Sequence, residues 1–424
     1  MNAEWMVISA LALCLASAGA AGQAPLLAGA ASVALTPDRP GLFLAGLDEN
    51  RRALGAHDDI FARCLVLDDG KTRVALCALD LIGLLHDDVR DIARRVTSVP
   101  HENIIIACTH THSAPDTIGL WGPDRTHSGV DERYLEQVKQ RTAQCMEQAA
   151  AALRPARLYW AVARQPKETS KNFRDEAALD PTIAILQAVG EDGKAIATLV
   201  NWACHPEVLW SENKLVSSDY AAYLRAAVEE KQGGLALFFN GALGGMVSPA
   251  REVHTFAEAK RLGEAIAEAT NAALRSRQRC AGGLELVARE LVLPLDNPLL
   301  RGAAQAGLLR VSARELNAVR TRMSGLLVGG VPLVTIPGEA VPAIALELRK
   351  LWRARGGRPP LFIVGLAHDE LGYILLPEQY ESDVYQYERS MSLGRRAAER
   401  MISAARALVE ELARRAGSGA AVNR

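Results

Sequence analysis

Short apolar runs rich in β-branched residues alternate along this chain with amphipathic stretches of helical period, a pattern that predicts an α/β protein. The apolar runs place strands at about 28–35, 62–67, 73–79, 104–108, 157–163, 182–188, 195–203, 235–239, 284–293, 326–336 and 361–365. Between them, apolar positions at three- and four-residue steps predict helices at about 86–97, 135–153, 218–231, 255–274 and 393–414, and another beginning at or just after Glu339. Asp68-Asp69-Gly70-Lys71 reads as a hairpin turn, and Thr255 with Glu258 as a capping box. The expected architecture is central mixed β-sheets flanked by helices, in a single large domain spanning 27–412, with 416–424 as a flexible tail.

Polar residues of one chemical kind gather where these apolar runs stop. His110 and His112 follow the 104–108 run, and a strand's two-residue period would project both imidazoles from one face. His205 ends a second run in Asn201-Trp202-Ala203-Cys204-His205-Pro206, and Glu339 and Tyr373 follow two more. Two histidines, a carboxylate and a further oxygen make a sensible zinc set. The long glycine-containing stretch 116–130 comes directly after the first histidines and is the expected substrate-covering flap, with Ile118, Leu120 and Trp121 as an apolar wall. Leu375 and Leu376 extend that wall beyond Tyr373. A glycine-rich turn at 240–249 is expected to let the backbone approach a ligand closely.

Composition narrows the partners. A formal net charge of −1 over 424 residues gives no electrostatic footprint for nucleic acid, and leaves at most transient contact with a membrane surface. Gly70-Lys71-Thr72 is not a phosphate loop, because Leu65 stands where that motif's first glycine belongs. Residues 5–37 carry no charge, and Trp5–Ala18 is continuously apolar with Ala18-Gly19-Ala20 after it. This suits a cleaved signal peptide over 1–20 and a secreted or periplasmic protein, with an N-terminal membrane anchor as the alternative. Cys64, Cys77, Cys108, Cys145, Cys204 and Cys280 read as small buried hydrophobes and not as a disulfide framework.

Thr109-His110-Thr111-His112-Ser113, Asn201-Trp202 with His205, Pro337-Gly338-Glu339, and Gly372-Tyr373 with Tyr387-Glu388 occur in an order that resembles the neutral/alkaline non-lysosomal ceramidases, over about 28–412. The resemblance implies an α/β catalytic domain holding Zn2+ that hydrolyses the N-acyl bond of ceramide by metal-activated water. It makes His110, His205, Glu339 and Tyr373 the zinc ligands and sets His112 beside the metal. It places Arg174 and Tyr387 as active-site residues, with Tyr385 competing for the latter register, and aligns Ser248, a further candidate catalytic residue, with the serine of the family's Gly-Asp-Val-Ser-Pro-Asn segment. The family's acid and asparagine around that serine are replaced by Met246 and Ala250, and its C-terminal immunoglobulin-like domain has no match in these residues. The implied substrate therefore widens to a related N-acyl lipid or amine. Two other readings stand beside it: a metal-independent serine hydrolase or esterase using Ser248, and a secreted binding protein without activity.

Overall fold

The structure is a computed structural model and describes residues 25–309 and 317–422. A nine-stranded mixed sheet runs in the order Leu235–Asn240, Ala195–Trp202, Thr182–Gly190, Arg154–Arg164, Leu27–Ala34, Phe61–Asp68, Arg73–Leu79, Ile104–Cys108, with Gln278–Arg279 added beside Arg154–Arg164. It is parallel only near its two ends, where Ile104–Cys108 lies along Arg73–Leu79 and Leu235–Asn240 along Ala195–Trp202. These end strands are apolar without alternation because both faces are covered. A four-stranded sheet, Leu284–Pro294, Ala318–Val328, Val331–Thr335 and Phe362–Val364, is antiparallel except for its last pair.

The two sheets pack face to face, and helices close both outer sides. Leu65, Leu76, Ile105, Leu199 and Phe239 of the large sheet meet Leu326, Leu333 and Phe362 of the small one in a single buried layer. Residues on the other face of the large sheet bury two helix pairs. His86–Arg95 and Glu132–Ala151 cover Val66, Cys77 and Ile106, while Tyr220–Gln232 and Phe256–Leu274 cover Ile185, Val200 and Phe238. Pro342–Ala354 and Arg395–Val422 cover Leu327, Val334 and Ile363 on the far side of the small sheet. Asn201 ties the sheets at one point. Its amide donates to the carbonyls of Phe239 (3.0 Å) and Ile363 (2.8 Å), and its oxygen accepts from Ile363 N.

The expected mixed sheets and flanking helices are present, and Thr255 Oγ1 caps the Phe256–Leu274 helix by accepting from Glu258 N. Four local expectations change. The 326–336 run is two strands, because Gly329 and Gly330, both at positive φ, turn the chain between Ala318–Val328 and Val331–Thr335. The last helix extends to Val422, so residues 416–422 continue it and do not form a separate tail. A short helix, Pro298–Gln305, was not anticipated, although Asn297 at its cap and Pro298 in its first turn carry a recognisable start signal. Cys64 and Cys77 are joined by a disulfide, since the hairpin register sets them directly opposite each other. Cys108, Cys145 and Cys204 are free and buried, as expected. The expected signal segment lies outside the described residues.

Candidate metal centre and substrate cavity

Each candidate ligand lies on the segment that leaves the carboxyl end of a parallel strand. His110 follows Ile104–Cys108, His205 follows Ala195–Trp202, Glu339 follows Val331–Thr335 and Tyr373 follows Phe362–Val364. Strand ends are where loops from separate strands are gathered at one edge of a sheet. The two histidines of the first motif do not converge by strand period, as the sequence suggested. The strand stops at Cys108, and His110 takes a left-handed backbone (φ 70°), which turns its ring toward that of His112 at a centroid distance of 5.0 Å. That conformation in a non-glycine residue costs about 1–3 kcal/mol and is held here by surrounding bonds. His110 N donates to Leu81 O at 2.9 Å, and His112 N to Pro206 O at 3.0 Å.

Glu339 and Tyr373 are brought together differently. Glu339–Ala340 and Tyr373–Ile374 form a two-residue parallel pair in which Glu339 is the register partner of Tyr373. Glycine is needed for this approach: at Gly338 (φ 143°) a Cβ would lie 2.5 Å from Gly372 O. The 240–249 turn uses its glycine in the same way. A Cβ at Gly244 would lie 2.3 Å from Glu339 O, so this turn packs against the Glu339 strand, where the sequence had suggested a ligand.

His110, His112 and His205 are all buried, and each offers a ring nitrogen within 4.8 Å of the others, a group that can hold a metal ion. Nδ1 of His110 is bonded to Ile82 O at 2.6 Å and Nδ1 of His205 to Val247 O at 2.9 Å. Both Nε2 atoms therefore face inward, where Glu339 Oε2 lies 3.6 Å from His110 and 3.0 Å from His205. Neither ring nitrogen of His112 has a hydrogen-bond partner, though Glu207 Oε2 is 3.4 Å from Nδ1. Burial, partly opposed by Glu339, lowers His110 to about 4. Burial also lowers His205, but Glu207 and Glu339 outweigh it and raise that ring to about 9. His112 is pushed well below its usual value by burial, then by His110, His205 and the Arg51 guanidinium. Burial raises the Glu339 carboxyl, yet His110, His205 and the Tyr373 hydroxyl bring it below the usual range.

These groups lie along a cavity of about 690 Å³. Ile118, Leu120 and Trp121 line it as expected, joined by Ile82, Leu85, Leu295, Leu300, Leu309 and Met391. The 116–130 stretch is a braced wall at its start, where Asp116 accepts from the backbone of Ile118, Gly119 and Trp121. Leu375 and Leu376 do not reach the cavity; they pack in the core between the small sheet and its helices. Arg174 and Tyr387 line the cavity, and the Tyr387 ring is 5.8 Å from that of Tyr373. Tyr385 is buried in the core instead. Arg174 Nε bonds Glu388 Oε1 at 2.7 Å, while the nearby-in-sequence Asp180 pairs with Arg349. Ser248 lines the cavity from the short strand Val247–Pro249, and among the described residues its hydroxyl bonds no imidazole.

Several residues that shape the site were not singled out by sequence. Glu207 and Glu370 line the cavity, and His254 lies there stacked on Trp210 at 5.3 Å. Asn240 binds the loops of both histidine motifs: its amide donates to Thr109 O (2.9 Å) and Cys204 O (2.8 Å), and its oxygen accepts from Cys204 N and Gly241 N. Arg51 donates to the carbonyls of His112, Ala45 and Trp210. Only Asn297-Pro298, which starts the helix carrying Leu300, left a local signal; the others are polar residues whose partners are remote in sequence.

Two packed mixed sheets with a histidine- and carboxylate-lined cavity at their strand ends define a class of α/β domains, and the sequence specifies which family. Residues 29–250 match the family described as neutral/alkaline non-lysosomal ceramidase, N-terminal, and the chain belongs to that family. It is 22% identical over 258 residues to the neutral ceramidase of Pseudomonas aeruginosa, covering 55% of this chain and 38% of that protein. It is 25% identical over 197 residues to the neutral ceramidase of Drosophila pseudoobscura, covering 42% of this chain and 28% of that one. The sequence match thus spans well under half the length of these relatives. The crystal structure of the Pseudomonas aeruginosa neutral ceramidase superposes with a TM-score of 0.76 at 17% identity, covering 92% of this chain and 75% of that chain. A structure described as ceramidase complexed with C2 gives 0.77 at 15% identity, with the same coverage. The shared fold therefore continues past residue 250, through the segments that hold Glu339, Tyr373 and Tyr387.

Proposed function

We propose that this protein is a zinc-dependent amidohydrolase cleaving the N-acyl bond of ceramide or a related N-acyl lipid, with His110, His205, Glu339 and Tyr373 as the metal ligands. The observation that carries this reading is the meeting of two inward-facing Nε2 atoms with Glu339 Oε2, at 3.6 and 3.0 Å, beside a cavity rich in apolar side chains. Ligand bonds of ~2.0–2.1 Å in a tetrahedral zinc site imply ligand-to-ligand edges of about 3.3–3.4 Å, and the two gaps bracket that value. The backbone carbonyls on both Nδ1 atoms are the outer partners that orient zinc-binding histidines. Zinc held there would lower the pKa of a water to about 7 and polarise a carbonyl oxygen.

The chain's own groups supply the rest. His112, neutral through burial and with both nitrogens unpartnered, takes a proton from water and returns one to the leaving amine. Arg174, steadied by Glu388, and the Tyr387 hydroxyl donate toward the oxygen on which charge develops. Removing one such donor costs ~10²–10³ in rate. The apolar wall takes the acyl chain and excludes water from it. The Cys64–Cys77 disulfide supports a secreted or periplasmic location, where such bonds persist. Among the described residues, no helix is long and apolar enough to cross a membrane.

The test is elemental analysis of the purified protein, with a panel of N-acyl amines and ceramides incubated with and without chelator and the products identified by mass. Absence of chelator-sensitive amide cleavage across the panel overturns the proposal. Within the panel, kcat/KM is expected to rise about fourfold per added methylene, from ~0.8 kcal/mol each, until the wall is filled. A flat response would remove the acyl-chain role of the wall.

Ser248 orients substrate in this scheme. Ser248→Ala is expected to lower kcat/KM by about tenfold, the scale of one lost hydrogen bond. A metal-free serine hydrolase would instead lose ~10⁶ on the same change, and an acyl-enzyme at Ser248 would be visible by mass spectrometry.

A further inference from the structure

Among the carboxylates lining the cavity, Glu339 belongs to the proposed metal set, Glu207 lies against His112, and Glu252 is exposed. Glu370 has none of these roles. Its Oε1 accepts from Gly372 N at 3.0 Å, and the carbonyl of the same Gly372 accepts from Glu339 N at 3.0 Å. The backbone of one residue, Gly372, thus links Glu370 to the Glu339 strand. Oε2 of Glu370 is buried and has no hydrogen-bond partner. The stem cannot swing away, because it packs on the backbone of Gly83, where a Cβ would come within 2.7 Å of both Cβ and Cγ of Glu370. Ile82, Leu85, Ile118 and Leu371 line the same cavity. Burying a carboxyl oxygen without a partner is costly, so a group that satisfies it should bind well.

We propose that Glu370 is a specificity-determining residue whose Oε2 receives a hydroxyl group carried by the substrate close to the scissile amide. This rests on the N-acyl amide reading above and narrows it to hydroxylated N-acyl lipids. Either protonation state serves, since a carboxylate accepts from a hydroxyl and a carboxylic acid donates to one. The hydroxyl can come from the acyl chain, at its second or third carbon, or from the amine half as a vicinal aminoalcohol. Both present the same O–H beside the amide.

Binding to the zinc-loaded protein tests this without depending on turnover. Titration calorimetry compares dodecanoate with 2-hydroxy- and 3-hydroxydodecanoate for the acyl source, and octadecylamine with sphinganine for the amine source. The expected result is roughly tenfold tighter binding of the hydroxylated member in one series, the scale of one hydrogen bond. Glu370→Leu should abolish that ratio, while Glu370→Gln, which still offers a hydrogen-bonding amide, should keep part of it. Zinc content is measured on both variants. Equal binding within both series, no binding of any probe, a preference that survives Glu370→Leu, or loss of zinc from that variant each overturns the proposal. If the hydroxyl preference holds but no amide is cleaved, the hydrolase reading fails and this one stands.

Discussion

His110→Ala is expected to yield a folded protein without stoichiometric zinc, with N-acyl amide turnover reduced on the order of 10³-fold or more. The size follows from losing several kcal/mol of metal-derived charge stabilisation, at 1.36 kcal/mol per tenfold in rate. His110 is fixed from both sides: Ile82 O holds Nδ1 and the backbone is tied to Leu81 O, which sets Nε2 toward Glu339. Histidine already carries the strain of φ 70°, so alanine adds little of its own, and asparagine tolerates that backbone but is too short to reach the centre. Both His110→Ala and His110→Asn should lose zinc by elemental analysis, with the asparagine variant at least as stable as the alanine one in melting temperature. Full zinc occupancy in the asparagine variant would remove His110 from the ligand set.

Asn240→Ala is expected to be the most damaging substitution outside the ligands. Its amide group joins Thr109 O, Cys204 O, Cys204 N and Gly241 N, and is fully buried. Two of these keep another partner after truncation: Cys204 O still accepts from Tyr220 Oη, and Gly241 N still donates to Trp202 O. Thr109 O and Cys204 N would lose theirs, at ~1–3 kcal/mol each, so roughly 2–6 kcal/mol of stability should go. Both orphaned groups adjoin His110 and His205, and zinc affinity should also fall by about 10- to 100-fold, as when outer partners of a metal site are lost. Urea unfolding and competition against a chelator measure the two effects separately. An Asn240→Ala protein that unfolds and holds zinc like its parent would show that the histidine loops are positioned by other contacts.

The elements that sequence located are those whose causes are local. The Ile104–Cys108 strand is buried on both faces and therefore reads as an unbroken apolar run, and the Thr-His-Thr-His-Ser segment stands out because polar residues follow it abruptly. Thr255 caps its helix through an atom three residues away, well within reach of local inspection. The hairpin of Ala318–Val328 and Val331–Thr335 looks like one strand for an equally local reason: the apolar ends Leu326–Val328 and Val331–Val334 meet at Gly329-Gly330, and no polar residue marks the turn.

What tertiary structure decided is how remote residues meet. Glu339 faces His110 and His205 because the small sheet packs on the large one, and Asn201 helps to fix that packing by bonding Phe239 and Ile363. The left-handed turn at His110 is paid for by bonds to Leu81 and Ile82, which belong to a different strand end. The Cys64–Cys77 bond depends on a register that places two cysteines opposite each other, whereas burial alone leaves a cysteine free. Glu370 and Glu207 look in sequence like ordinary polar residues after a strand, and only the cavity gives them unbonded or closely facing oxygens. Sequence by itself determined the apolar runs, the helix caps and the residue types at each strand end, since these follow from burial and backbone preference within a few residues. The centre itself required the tertiary fold, because short-range bonds between side chains hundreds of positions apart exist only after strand order, register and sheet packing have been set.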